Sequence, residues 1–306
     1  RILGRGAPAP NSQIGIAVIG AGERGRGHVH ELGGLAEARV LAICDADLAK
    51  ARALRDGAVA QGHAGPECAA VQDFREVLAR PDVDAVTIAA PEHWHGAMAI
   101  AAMRSGRDVY CEKALSRTVA EGRAICETVR RTGRVVQAGT QQRSDPRFRF
   151  ACELVRNGYL GRLHTVTVAV PGGHLRLRDG GSALYLPIAP PPPSLDYDLW
   201  IGPAPMKPHR QGICSYYWYF FSDYCAGWMQ SWGVHHLDIA LWGLPSLGMG
   251  RVTVEGSAVW LTEGDPDVPF GWDITVTAAD GLRLRFYDDT RSPYGHGVRF
   301  EGDRGW

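Results

Sequence analysis

The chain has 306 residues, of which 45% are hydrophobic, enough for more than one packed core. Lysine plus arginine and aspartate plus glutamate balance at 33 each, which removes the basic footprint of a protein that tracks nucleic acid or an anionic membrane. No apolar run approaches the ~20 residues that span a bilayer. The seven cysteines are scattered without a C-x-x-C pair, so neither a zinc ribbon nor a disulfide framework is indicated.

In chain order, residues 1–12 are rich in Gly, Pro, Ala and Arg and read as an irregular arm. The chain opens at Arg1, not Met, so removal of an upstream segment is expected. Ile14 to Ile19 is a β-branched apolar run closed by glycines; a helix is expected over His28 to Leu35 and a second strand over Arg39 to Cys44, ending at Asp45. Helices are expected near Asp47 to Arg55, Phe74 to Ala79, Gly96 to Ser105 and Val119 to Thr132, with strands at Ala85 to Ala89, Asp108 to Cys111 and Val135 to Ala138. Strands alternating with helices of this length predict a doubly wound parallel sheet.

Beyond about residue 140 the texture changes. A helix near Phe148 to Asn157 precedes strands at Leu163 to Val170, Arg251 to Leu261, Ile274 to Ala278, Leu282 to Tyr287 and Val298 to Glu301, a pattern of antiparallel pairing. Between them lie the proline run Pro190 to Pro193, an aromatic cluster from Tyr216 to Tyr224 and a helix around His235 to Leu241. The expected fold class is therefore α/β: an N-terminal Rossmann domain over 14–140, and a C-terminal α+β domain over 141–306 with a mainly antiparallel open sheet.

The strand-turn-helix context gives meaning to Gly20-Ala21-Gly22-Glu23-Arg24-Gly25, the fingerprint of a dinucleotide site: a tight turn, close backbone approach to a pyrophosphate, and close helix packing. Asp45 ends the second strand, where a carboxylate accepts from ribose hydroxyls and repels a 2′-phosphate, favouring NAD over NADP.

Three further segments carry a resemblance: Ala90-Pro91-Glu92-His93-Trp94-His95, Cys111-Glu112-Lys113-Ala114, and Trp232-Gly233-Val234-His235-His236-Leu237-Asp238. Together they resemble the glucose-fructose oxidoreductase, inositol dehydrogenase and rhizopine-catabolism (Gfo/Idh/MocA) family, from Ile14 to about Trp306. The resemblance implies that Ala90, Pro91, His93 and His95 lie beside the nicotinamide with Glu112, and that Lys113 touches both the nicotinamide ribose and the reacting hydroxyl. His235, with His236 as an alternative relay, would share the proton. The family pattern Asp-x-Gly-x-His-x-x-Asp is met here by Ser231, Gly233, His235 and Asp238, so the leading carboxylate is missing, and Ala114 replaces the family's proline.

Taken alone, His93 and His95 could ligate a metal, but no carboxylate or cysteine sits at ligand spacing, and no metal is expected. Gly139-Thr140-Gln141-Gln142-Arg143 comes after the sixth strand, where the Gln141 and Arg143 donors suit sugar hydroxyls, a polar turn being the equal alternative. Trp218 and its aromatic neighbours suit a carbohydrate-stacking cleft or ordinary core packing. Trp218 and Asp238 complete the expected substrate residues.

The expected activity is NAD-dependent oxidation of a secondary alcohol of a sugar, glycoside or polyol. The alternatives are a redox-neutral glycosidase or lyase that oxidises a ring hydroxyl transiently, and a non-catalytic NAD-binding protein. No nucleic-acid partner and no membrane insertion are expected. If the segments into which relatives continue are absent, the C-terminal sheet is left incompletely covered, and its unpaired edges are expected to favour a homo-oligomer. The arm Arg1-Ile2-Leu3-Gly4-Arg5-Gly6 resembles the stretch just after a twin-arginine signal, so periplasmic export is expected, with a cytoplasmic location otherwise.

Overall fold

A computed structural model describes residues 13–173, 184–248 and 250–306; the expected arm lies outside them. The first half of the chain runs β1 (Ile14–Ile19), α1 (Glu23–Gly33), β2 (Ala38–Cys44), α2 (Leu48–Ala60), β3 (Ala69–Val71), α3 (Phe74–Ala79), β4 (Ala85–Ile88), α4 (Glu92–Arg104), β5 (Asp108–Glu112), α5 (Val119–Thr132) and β6 (Val136–Gly139). Then come α6 (Pro146–Arg156), β7 (Leu163–Val170), α7 (Tyr197–Ile201), α8 (Gly227–Ser231), α9 (Gly233–Gly243), β8 (Val252–Val259), β9 (Gly271–Ala278), β10 (Arg283–Asp288) and β11 (Gly297–Gly302).

The first six strands are all parallel in the order β3-β2-β1-β4-β5-β6, the doubly wound Rossmann arrangement. Helices cover both faces, which is why the strands read as unbroken apolar runs. Along β1, Ala17 and Ile19 enter one core with Leu41, Ile88 and Met103, while Val18 enters the other with Val29, Val40 and Ile43. Local signals set the ends: α5 begins with a capping box between Thr118 and Glu121 and ends at Gly133, left-handed at φ +68.

The second sheet has the order β11-β7-β10-β9-β8. It is mixed, since β7 and β10 run parallel while its other pairs are antiparallel as expected. One face packs on α9 through Val166, Val168, Leu284, Phe286 and Phe300. Gly233 and Gly243 let that helix lie close, because a Cβ there would stand 2.7 Å from the rings of Phe286 and Phe300. The outward residues of β7 and β10 are polar, among them Thr165, Arg283 and Arg285.

Several boundaries move from expectation for local reasons. α1 starts at Glu23 instead of His28, with Gly22 as its N-cap, and α4 starts at Glu92 instead of Gly96, with Pro91 as its N-cap. The short β3 was not foreseen, its three residues being too few to show a period. The chain also crosses between its two compact units more than once, where a single boundary at 140 was expected: one unit holds the residues up to Gly139 and Pro187–Tyr216, the other Thr140–Leu186 and Tyr217–Trp306. Backbone bonds explain the return: Leu48 N–H donates to Ser194 O, and Asp196 N–H to Ala46 O, both at 2.9 Å.

Candidate cofactor and catalytic residues

In the Rossmann unit the three glycines of the turn separate by physical role. Gly20 sits at φ +103, and a Cβ there would meet the Ala89 carbonyl at 2.5 Å, so both conformation and crowding exclude a side chain. A Cβ on Gly25 would collide with the Gly20 carbonyl oxygen, so this residue lets α1 pack against the turn. Neither reason applies to Gly22: its φ is −75, and a Cβ would meet nothing within 4 Å. What a side chain at Gly22 would fill is open space at the N-terminus of an 11-residue helix, where backbone N–H groups favour an anion. This cradle fits a dinucleotide pyrophosphate. Glu23 is exposed beside it.

Asp45 is built into the same turn. One carboxylate oxygen accepts from Ala21 N–H at 2.8 Å and the other from Asp47 N–H at 2.9 Å. Burial raises its pKa, and those two backbone donors oppose the rise. Each oxygen keeps a lone pair for a ribose hydroxyl.

Lys113, half-buried, comes directly after β5, and the residues on either side of it are anchored. Glu112, 4% exposed, receives Arg24 Nε at 2.6 Å and His28 Nε2 at 3.0 Å on one oxygen. Burial pushes the Glu112 carboxyl up, but the bonds from His28 and Arg24 outweigh it and hold the group down at about 2. The Arg24 guanidinium, an expected cofactor contact, pairs with Glu112 and, at 3.6 Å, with Glu31. On the other side, Ala114 O faces His95 Nδ1 at 2.7 Å, and the Lys113–Ala114 peptide is cis.

His93, Trp94 and His95 form the buried first turn of α4, where a loop was expected. His93 Nε2 and Trp94 Nε1 both reach Trp200 O at 3.0 Å, and His95 Nε2 reaches Ala90 O at 2.8 Å. These contacts tie the segment down and leave backbone at Ala90 and Pro91 to line the turn after β4. Among the described residues no group of three or more His, Cys, Asp or Glu is arranged to hold a metal.

In the second unit, Arg143 and Asp238 meet each other: Arg143 Nε and Nη2 donate to the two Asp238 oxygens at 2.6 and 2.8 Å. The guanidinium also lies over the Trp242 ring. Gln141 is exposed in the 3-10 turn Gln141–Ser144, whereas the neighbouring Gln142 Oε1 is buried and without a hydrogen-bond partner. His235, 2% exposed, packs edge-on against Trp232 at the start of α9. His236 stacks on His296 with centroids 4.7 Å apart. Burial, then the neighbouring His296, pulls the His236 pKa down to about 4, which makes it a feeble base at neutral pH. Trp218 stacks on Tyr219, Tyr219 on Trp228, and Trp228 leads to Trp232, a continuous aromatic row.

Sequence reading missed His28, Trp242 and His296. His28 stands one turn beyond Arg24 on the same face of α1, a spacing that could have suggested a shared partner. His296 lies in a loop far from α9 in sequence and gave no signal.

A family model described as the oxidoreductase family, NAD-binding Rossmann fold, matches residues 14–140, and that of its C-terminal alpha/beta domain matches 148–293. Inositol 2-dehydrogenase 1 of Saccharopolyspora erythraea is 38% identical over 137 residues, covering 44% of this chain and 39% of that protein. An alpha-N-acetylgalactosaminidase of Shewanella oneidensis is 36% identical over 130 residues, covering 42% of this chain and 28% of its own length. The chain thus spans less than half of the curated relatives it matches. The crystal structure of myo-inositol 2-dehydrogenase from Lactobacillus plantarum superposes with a TM-score of 0.64 at 18% identity, over 96% of this chain and 75% of that one. With its glycine cradle, its 3-2-1-4-5-6 parallel sheet and both domain models matched in order, the chain belongs to the Gfo/Idh/MocA oxidoreductase family and carries that family's NAD-binding Rossmann domain.

Proposed function

We propose that this protein is an NAD-dependent oxidoreductase that oxidises a secondary alcohol of a cyclic polyol or sugar, with Lys113 as proton acceptor and His235 as its partner. The observation that carries the reading is the placement of Lys113: it stands at the carboxyl end of β5, between two anchored neighbours, in a sheet whose carboxyl edge holds an open dinucleotide cradle. The turn at Gly22 and the α1 N-terminus bind the pyrophosphate, and Asp45 accepts from the adenosine ribose, where its charge disfavours NADP. NAD, when bound, supplies the hydride acceptor. Lys113 takes the hydroxyl proton as hydride leaves the carbinol carbon. The assignment of His235 rests on the family motif, which lacks its leading carboxylate at Ser231. The ion pair of Arg143 and Asp238 orders the segment between Thr140 and α6, leaving Gln141 and the unused Arg143 donors for substrate hydroxyls, with Trp218 for stacking.

The test is anaerobic incubation of the full chain with NAD and a panel of cyclic polyols and sugars, monitoring nicotinamide absorbance. Wild type should reduce NAD with at least one of them, and Lys113→Ala should lose about 10²–10⁴-fold in rate. Equal rates in the two proteins would remove Lys113 from the chemistry.

The similarity to an alpha-N-acetylgalactosaminidase favours a second reading, a glycosidase with no net redox change. Release of aglycone without accumulation of NADH distinguishes it, while binding of NAD with neither outcome would point to a non-catalytic role. The exposed apolar residues of β8, Val252, Val254 and Val259, support a homo-oligomer through the second unit's sheet, which light scattering tests. No helix among the described residues is long and apolar enough to cross a membrane. Export of the folded protein to the periplasm is a reading of the arm alone, tested by cell fractionation.

A further inference from the structure

His95 poses a problem in hydrogen bonding that only one charge state solves. The ring is 1% exposed, and its two nitrogens stand 2.7 Å from Ala114 O and 2.8 Å from Ala90 O. Carbonyl oxygens only accept. A neutral imidazole has a single N–H, so one nitrogen of this buried ring would present its lone pair to a carbonyl lone pair; the imidazolium satisfies both.

A second observation points the same way. Glu92, one turn earlier on α4 and also 1% exposed, has both carboxylate oxygens buried and without a hydrogen-bond partner. A buried carboxylate in that condition calls for a nearby positive charge, and residues three apart on a helix share a face.

The remaining charged groups are occupied elsewhere. Glu121 on α5, whose Cβ lies 3.6 Å from where a Gly96 Cβ would stand, accepts from Arg117 N–H and Thr118 N–H. Glu112 is held by Arg24 and His28, and His93 faces Trp200 O. Cys111 on β5 also acts on the ring. Burial opposes the charge on His95, but Cys111, the Ala114 carbonyl and Glu92 together outweigh it and lift the ring to about 9.

We propose that His95 is held as an imidazolium whose two N–H groups tie the turn after β4 to the segment after β5, and that this tie positions Lys113. Lys113 is then clamped on both sides by cations: Arg24 acts through Glu112, and His95 acts through Ala114. The consequence for turnover rests on Lys113 as the proton acceptor; the charge of His95 does not.

Nuclear magnetic resonance of the NAD-bound full chain, with ring-labelled histidine and carbonyl-labelled alanine, reads both halves. The expected result is one histidine with both ring nitrogens protonated from about pH 6 to 8, each coupled through its hydrogen bond to an alanine carbonyl, and lost in His95→Gln. A single-N–H pattern for His95 at neutral pH would overturn the proposal. The Lys113 side-chain signal, identified by its loss in Lys113→Arg, should move in His95→Gln; an unmoved signal overturns the positioning half. Should His95→Gln not fold, Glu92→Gln removes only the counter-charge, and the His95 midpoint should fall by about one pH unit. An unchanged midpoint there counts against the proposal. If instead Lys113→Ala keeps full activity, the functional reading fails while the ring-nitrogen pattern stands.

Discussion

The two sheets bury their strands in opposite ways. In the parallel sheet β1 and β2 each have five consecutive buried residues, whereas in the mixed sheet β8 is exposed along most of its length and β10 alternates between exposed and buried over its first four residues. A sheet covered on both faces leaves its strand ends for function, and the candidate residues Gly20, Asp45 and Lys113 come directly after β1, β2 and β5. A sheet covered on one face keeps a polar surface, and its interior must then come from one set of alternating residues.

That contrast can be broken by substitution. The largest effect is expected inside the one-sided core: Trp272→Ala, at a residue with no exposed surface, should cost about 3–5 kcal/mol in denaturant unfolding. Next comes the Glu112 anchor. Its folded-state pKa of about 2 lies below the ordinary 4.5, so it contributes stability that is present above the unfolded value and lost as pH falls from about 4.5 toward 2. Glu112→Gln should flatten that part of the stability profile, an effect on the order of 3 kcal/mol. An unchanged acid limb in thermal melts would show that Arg24 and His28 do not hold the carboxylate.

Within the glycine turn the roles should separate cleanly. Gly25→Ala places a Cβ on the Gly20 carbonyl and should destabilise the unit by about 2–3 kcal/mol as well as impair NAD binding. Gly22→Ala meets no protein atom, so melting should shift little while calorimetry shows NAD affinity falling by about tenfold, or ~1.4 kcal/mol. Normal NAD affinity in Gly22→Ala would remove the cradle from the cofactor site. The smallest effect is expected on the open face, where Arg285→Ala should stay within about 0.5 kcal/mol.

Legibility divided along the same line. In the Rossmann unit, strands buried on both faces were visible as apolar runs, and β1, α3 and α5 fall where the pattern placed them. Misplaced helix starts had one cause: Gly22 and Pro91 cap α1 and α4 without a side-chain hydrogen bond, so the Ser, Thr, Asp or Asn signal was missing. In the second unit the strands were again found, but the parallel pairing of β7 with β10 spans more than a hundred residues and has no local signature. The candidate site shows the sharper limit. Arg24, Glu112 and His95 were singled out for a cofactor from the sequence, but the bonds they make within the fold, Arg24 to Glu112 and His95 to two backbone carbonyls, had no local signal.

Residue order by itself determined the alternation of strands and helices, the glycine spacing, the carboxylate at Asp45 and the family, because these depend on local periodicity and on residues a few positions apart. Only the tertiary structure decided which glycine faces open space, which carboxylate is tied down, and that His95 stands between two carbonyl oxygens. Those outcomes depend on contacts between β1, β4 and β5 that the chain makes only when the sheet assembles, and on burial, which turns an ordinary histidine into one whose charge its neighbours dictate.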